Sequence, residues 1–112
     1  MYRLTILYGH PTDPEAFDAY YRDVHLPIAR KMRGLKGWTI GHCEATVPGQ
    51  RPPYHLIVGL YADTREDLEA ILASPEGQAA VDDVSNFATG GVDFLYNRDE
   101  HILPAAEAPA DF

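Results

Sequence analysis

The first part of the chain has the pattern of one strand followed by one long helix. Residues 2–9 alternate between two rows of side chains, which is the period of a β-strand. Residues 14–32 carry an apolar stripe at helical spacing. Because Pro27 lies inside this helix, removes one backbone donor and disfavours helical angles at Leu26, we expect a kink or break at 25–27.

The rest of the chain predicts two strands, a helical region and a last strand. Residues 37–46 and 54–62 are the strands, separated by a loop that is rich in proline and glycine. The helical region that follows is interrupted at Ser74, which caps a further segment, and residues 91–96 form the last strand. The order β-α-β-β-α-β predicts an α+β, ferredoxin-like protomer.

In that fold both helices cover one face of the sheet. We expect the opposite face to be bare and apolar, and therefore a natural dimer surface. Residues 1–98 are the predicted domain, and residues 99–112 a C-terminal tail rich in alanine, proline and acid.

Composition excludes several classes of protein. The chain has 112 residues and a net charge of −8, with nine scattered Lys and Arg residues, so we expect no nucleic-acid partner. No apolar run approaches the length of a membrane span, and the N-terminus does not resemble a secretory signal. A single cysteine excludes a disulfide framework, so we expect a cytoplasmic protein.

His25 is the first candidate for chemistry. It lies four residues after Tyr21, at the edge of the apolar stripe and beside the proline irregularity. A partly buried imidazole there can act as a general acid or base, with Tyr21 as its orienting group or as a second donor. The alternative is a structural histidine that bonds a freed carbonyl.

Aromatic residues add a candidate ligand pocket. Such residues line apolar sites for small molecules, and they also fill ordinary cores. The pocket candidates are Tyr8, Phe17, Trp38 and Phe87.

Metal and cofactor motifs are missing from the sequence. The remaining histidines, at 10, 42, 55 and 101, have no compact ligand spacing, so we predict no metal, although a site built from distant strands stays open. The glycine-rich patterns of nucleotide sites are absent as well. We predict no cofactor and leave haem and flavin open.

Two stretches cover most of the predicted domain: LYGHPTDPEAFDAYYRDVHLPIARKMRGLKGW and YHLIVGLYADTREDLEAILASPEGQAAVDDVSNFATGG. They resemble the EthD family, small proteins of the dimeric α/β-barrel superfamily. The resemblance implies a ferredoxin-like protomer, a homodimer whose sheets face each other, and a functional role for His25 in Y-x-x-x-H-x-P. It also implies bacterial ether degradation and an oxidoreductase label, although no nicotinamide or flavin motif supports that label here.

Three functions follow as hypotheses. The first is an enzyme with His25 as its acid or base. It performs cofactor-free proton transfer or oxidation on an apolar, oxygenated metabolite that is aromatic, cyclic or ether-derived. The second is an accessory protein that binds a hydrophobic intermediate, or a haem, for a separate oxygenase. The third is a structural dimer without pocket chemistry.

Overall fold

The computed structural model describes residues 1–103 and has the predicted element order. The strands are β1 (Tyr2–Tyr8), β2 (Gly37–His42), β3 (Leu56–Ala62) and β4 (Val92–Arg98). The helices are α1 (Pro14–Tyr20), α2 (Leu26–Ala29), α3 (Arg65–Ala73) and α4 (Pro75–Asp83), with a π-helical turn (Tyr21–His25) and a 3₁₀ turn (Val84–Asn86). The α+β, ferredoxin-like prediction is confirmed. Most of the predicted tail, residues 104–112, lies outside the described residues.

The four strands form one antiparallel sheet in the order β2-β3-β1-β4. In this register Leu4 lies opposite Leu60 on one side and Tyr96 on the other. Because paired residues point to the same face, alternate side chains of β1 and β3 pack beneath the helices as the core. The core residues of these strands are Leu4, Ile6, Tyr8, Leu56, Val58, Leu60 and Ala62.

Side-chain caps begin the three longer helices. Asp13 accepts a hydrogen bond from the backbone N–H of Ala16 at 3.1 Å, which starts α1. Thr64 caps α3 in the same way, and Ser74 accepts from Gly77 N–H at 3.1 Å to start α4. The prediction that Ser74 opens a further helical segment is therefore correct.

The first helix differs from the prediction in the kind of irregularity. It widens into the π turn before Pro27, where Leu26 N–H donates to the carbonyl of Tyr21. Leu26 keeps helical angles (φ −58°, ψ −46°), so the helix does not break at 25–27, and of the expected kink or break only the kink stays a prediction. A regular α-helix would bring the proline ring against the carbonyl four residues earlier, and the wider turn comes just where that clash arises.

Strand ends and the open face also differ from the prediction. β2 stops at His42 and β3 begins at Leu56, because the intervening loop contains three prolines that cannot donate to a ladder. β4 runs to Arg98, two residues beyond the prediction. The face away from the helices is bare but not uniformly apolar. It mixes Leu7, Ile57 and Leu95 with Arg3, Thr5, Thr39, Tyr61, Asp93 and Asn97.

Candidate functional site

His25 is buried at the end of the π turn and bonds to a carboxylate on another helix. Only 6% of the residue is exposed. Its Nδ1 lies 2.9 Å from Oδ2 of Asp83, the last residue of α4. Two helices far apart in sequence thus hold one histidine–aspartate pair.

Asp83 is the centre of a wider hydrogen-bond network. The Tyr20 hydroxyl donates to Asp83 Oδ1 at 2.6 Å, and Asn86 Nδ2 donates to the same oxygen at 3.0 Å. Burial raises the pKa of Asp83, but the hydrogen bonds from Tyr20, Asn86 and His25 together lower it below its usual value. The carboxylate is therefore ionised at neutral pH.

The pKa of His25 is lowered from its ordinary value. Burial is the largest cause, because it disfavours the charged imidazolium, and Asp83 acts in the opposite direction. At neutral pH the imidazole is uncharged. Since an ionised carboxylate only accepts, Nδ1 carries the hydrogen and Nε2 has a free lone pair.

Asp83 bonds His25, whereas Tyr21 touches its ring, and the expected role of Tyr21 as orienting group or second donor stays a prediction. The two rings touch at a centroid distance of 5.2 Å, but Asp83 is the group that bonds the imidazole. Burial raises the pKa of Tyr21, and the Trp38 N–H and the Arg22 guanidinium oppose that effect only in part. Burial likewise raises the pKa of Tyr8. Both hydroxyls stay protonated and can donate hydrogen bonds.

The four aromatic pocket candidates do not form one wall. Phe17 and Phe87 pack edge to face at 5.3 Å, both touch Tyr8, and all three are fully buried core residues. Phe87 also lies 4.7 Å from the His25 ring and so supports it from behind. Phe17 and Phe87 thus belong to the core around the site.

Trp38 carries a buried donor near the Tyr21 hydroxyl, whose pKa it lowers without bonding it at normal geometry. Its Nε1 makes no hydrogen bond of normal geometry to any residue in the 1–103 range. An unsatisfied buried donor costs about 1–3 kcal/mol. A ligand oxygen beside the indole would remove that cost.

His25, Tyr8, Tyr21 and Trp38 line one cavity between the sheet and the helices. Its volume is about 30 Å³, and Val81 and Phe94 at its rim are partly exposed. A larger depression of about 190 Å³ lies on the open sheet face. Its lining holds no histidine, cysteine or acid, so the smaller cavity is the better candidate for acid–base chemistry.

Asp83 is the functional candidate that sequence reasoning missed. It lies in the segment SPEGQAAVDDV, where two adjacent aspartates look like part of a solvated helix face. Asp82 is exposed and Asp83 is buried. The sequence does carry one indication of this difference. Asp83 follows Ala80 by three residues, so the two lie on the same, buried face of α4.

A second polar cluster joins Asp18, His42 and His55. Both histidines place Nε2 on Asp18 Oδ1, at 3.3 Å from His42 and 2.9 Å from His55. The sequence predicted no metal site but left open one built from distant strands, and here three candidate ligand atoms lie within 4.8 Å of one another. Burial raises the pKa of Asp18, but its bonds to the two histidines lower it overall.

Comparisons with known proteins agree on one family. The model of the EthD domain matches residues 9–91. A Rhodococcus erythropolis protein, described as an uncharacterized 11.0 kDa protein in the thcB-thcC intergenic region, is 40% identical over 104 residues, which are 93% of this chain and 100% of the relative. An ethyl tert-butyl ether d (EthD) family protein from Bacillus halodurans c-125 superposes with a TM-score of 0.82 at 28% identity, over 89% of this chain and 99% of that one.

More distant structures share the fold alone. A dimeric ferredoxin-like protein of unknown function from Thermobifida fusca YX has a TM-score of 0.63 at 14% identity, over 86% of this chain and 88% of that one. SnoaB from Streptomyces nogalater, a cofactor-independent oxygenase, has a TM-score of 0.62 at 10% identity, over 93% and 96%. Within residues 1–103, no helix has the length and apolar character needed to cross a bilayer.

Proposed function

The chain belongs to the EthD family, and on that premise we propose that it is an enzyme in which His25 moves a proton on a small, apolar, oxygenated molecule. The observation that carries the proposal is the 2.9 Å bond from His25 Nδ1 to the buried, ionised Asp83, at a cavity that His25 lines. A carboxylate in that position orients the imidazole and leaves Nε2 as the basic atom, as in carboxylate–histidine pairs of other enzymes.

The cavity walls favour a ligand with an apolar body and at least one oxygen. Leu4, Leu60 and Met32 supply apolar surface, while the Trp38 N–H and the Tyr21 hydroxyl supply donors. Because about 30 Å³ is close to the space of one water molecule, a ring enters only when rim side chains rotate away.

Two kinds of reaction fit this machinery. An isomerisation or cyclisation takes a proton at Nε2 and returns it at a neighbouring atom of the same ligand, so no other reactant is required. Oxidation of an activated phenol begins with the same proton transfer and needs O₂ as a second reactant: one oxygen atom enters the ring to give a quinone, and the other leaves as water with the two hydrogens that the ligand loses.

We propose no haem or flavin. SnoaB is described as a cofactor-independent oxygenase, which supports chemistry without a bound cofactor in this fold.

We further propose a homodimer that uses the open sheet face. The dimeric Thermobifida fusca protein supports this assembly. An exposed sheet face with apolar side chains such as Leu95 is also the surface that a second chain would cover.

The proposal is tested with a panel of phenols, quinones, lactones and ether-derived alcohols and aldehydes. Thermal shifts identify the ligand class, since a ligand at about 100 times its Kd adds about 2.7 kcal/mol, or several degrees in Tm. Turnover of that class is then measured by product analysis with and without O₂. His25→Gln keeps the fold and loses about 10²–10⁴-fold in turnover.

The matched control is His101→Gln, because His101 is exposed and lies outside the cavity. Its turnover equals that of the wild type. Turnover that persists in His25→Gln contradicts the proton-transfer role. A ligand that stabilises the wild type and gives no product supports instead a non-catalytic binding protein that uses the same cavity.

A further inference from the structure

The cluster of Asp18, His42 and His55 brings together three elements that are far apart in the chain. Asp18 projects from α1, His42 ends β2, and His55 immediately precedes β3. β2 ends at His42 and β3 begins one residue after His55, so the two histidines lie side by side where the paired strands end. The Cys43 N–H donates to the His55 carbonyl at 3.1 Å at this point.

The geometry is close to that of a metal-ligand set. Ligand atoms about 2.0–2.1 Å from a tetrahedral Zn²⁺ are about 3.3 Å apart. The distances from Asp18 Oδ1 are 3.3 Å to His42 Nε2 and 2.9 Å to His55 Nε2. The two imidazole rings are nearly perpendicular, at 85°, so they do not stack, and the candidate ligand atoms lie within 4.8 Å of one another.

The two histidines of the cluster differ in how deeply they are buried. The His55 side chain is only 14% exposed, and its ring packs edge to face on Phe17 at 5.0 Å. The His42 side chain is 46% exposed, so less of its surface is held by packing than that of His55. A third histidine nearby, His10, is already bonded to the carbonyl of Pro52.

We infer that Asp18, His42 and His55 bind a divalent transition-metal ion of the Zn²⁺ class, with the remaining coordination positions open to water. Two imidazoles and one carboxylate suit Zn²⁺, Cu²⁺, Ni²⁺ and Fe²⁺. Mg²⁺ and Ca²⁺ prefer sets composed of oxygen atoms, and here only one ligand is oxygen. The site is separate from the His25 cavity, whose lining contains none of these three residues.

The test uses untagged, chelator-treated full-length protein and two probes. Titration calorimetry with Zn²⁺ gives one ion per chain, and Co²⁺ gives the visible absorption of a low-coordinate nitrogen and oxygen site. His42→Ala and Asp18→Ala each weaken Zn²⁺ binding by more than about tenfold and remove the Co²⁺ absorption, because each loses a direct ligand. Mg²⁺ at the same concentrations does not compete.

The matched control is His101→Ala, which removes an exposed histidine and leaves the cluster intact. It binds Zn²⁺ as tightly as the wild type. Circular dichroism verifies that each variant is folded. His42 is the preferred site of substitution, because its side chain is half exposed and alanine there removes little from the core. Absence of Zn²⁺ binding to the wild type, or equal binding by His42→Ala, overturns the inference.

Discussion

At the scale of single residues, the protonation of His25 reflects two opposed effects. Burial disfavours the imidazolium and lowers its pKa, while the carboxylate of Asp83 favours the imidazolium. Burial is the larger effect, so the His25 imidazole is neutral at neutral pH. The hydrogen bond from Nδ1 to Asp83 sets its orientation. This state is the one that a general base requires.

Replacing Asp83 with asparagine tests this balance. Asp83→Asn removes the group that raises the pKa of His25, so the midpoint of the His25 titration moves further below its wild-type position. The imidazole resonances in a pH series of NMR spectra measure the midpoint.

The neighbouring Asp82→Asn is the matched control, because Asp82 has the same chemistry but is exposed. Its His25 midpoint equals that of the wild type. If Asp83→Asn leaves the midpoint unchanged, the 2.9 Å bond to Asp83 does not raise the pKa of His25.

Stability should depend on pH through His25. Because the folded-state pKa is lowered, the unfolded chain binds the proton more readily than the folded protein. The associated stability is present above the unfolded pKa of about 6.5 and is lost as pH falls below that value. Urea unfolding at a series of pH values measures it.

His25→Gln lacks this component, so its free energy of unfolding falls less steeply between about pH 7 and pH 5. His101→Gln keeps the wild-type slope, because His101 is exposed. Parallel curves for the wild type and His25→Gln would show that the burial of His25 is not coupled to folding.

At the scale of elements, the elbow between α3 and α4 positions Asp83. Ser74 ends α3 and caps α4, and Gly77 then packs directly on the backbone of α3. A Cβ at Gly77 would lie 2.1 Å from the carbonyl oxygen of Ile71, so any side chain forces the two helices apart. The close approach of the two helices sets the direction of α4. Asp83, at the end of α4, is thereby placed within bonding distance of His25.

Gly77→Ala should destabilise the protein. Helix propensity alone predicts a gain of about 0.8–1 kcal/mol, whereas the backbone clash costs about 1–3 kcal/mol or more and reverses the sign. Thermal and urea unfolding measure the change.

Ala79→Gly is the control, since it exchanges the same two residue types at an exposed position of α4 and reports propensity alone. It loses about 1 kcal/mol. A stabilised Gly77→Ala would mean that the elbow relaxes without cost.

At the scale of the whole molecule, the sheet has one covered face and one open face. Helices cover the row that contains Leu4 and Val58, and no described element covers the row that contains Ile57 and Leu95. Leu95 is 53% exposed in the middle of β4. This asymmetry is the physical reason for proposing a dimer.

Leu95→Glu should shift the protein toward a monomer, because dimerisation would bury an unpaired charge on each chain. Light scattering after size exclusion measures the mass, which is that of two chains for the wild type. Val47→Glu, at an equally exposed loop position, keeps the wild-type mass. A Leu95→Glu protein with the mass of two chains would place the interface elsewhere.

Much of this architecture follows from local sequence. The alternation in β1, the cap at Ser74 and the order of elements depend on neighbouring residues, so they are readable from the chain. His25 was found for the same reason, because Pro27 marks an irregularity beside it.

Only the tertiary structure decided which side chains meet. Asp83 lies 58 residues after His25, and Asp18 lies 24 and 37 residues before the two histidines that it bonds. Those pairs depend on the packing angle of α4, on the π turn and on where β2 ends, which are properties of the assembled core. The sequence by itself determined the elements and the fold, whereas the packing of those elements assembled the two polar sites.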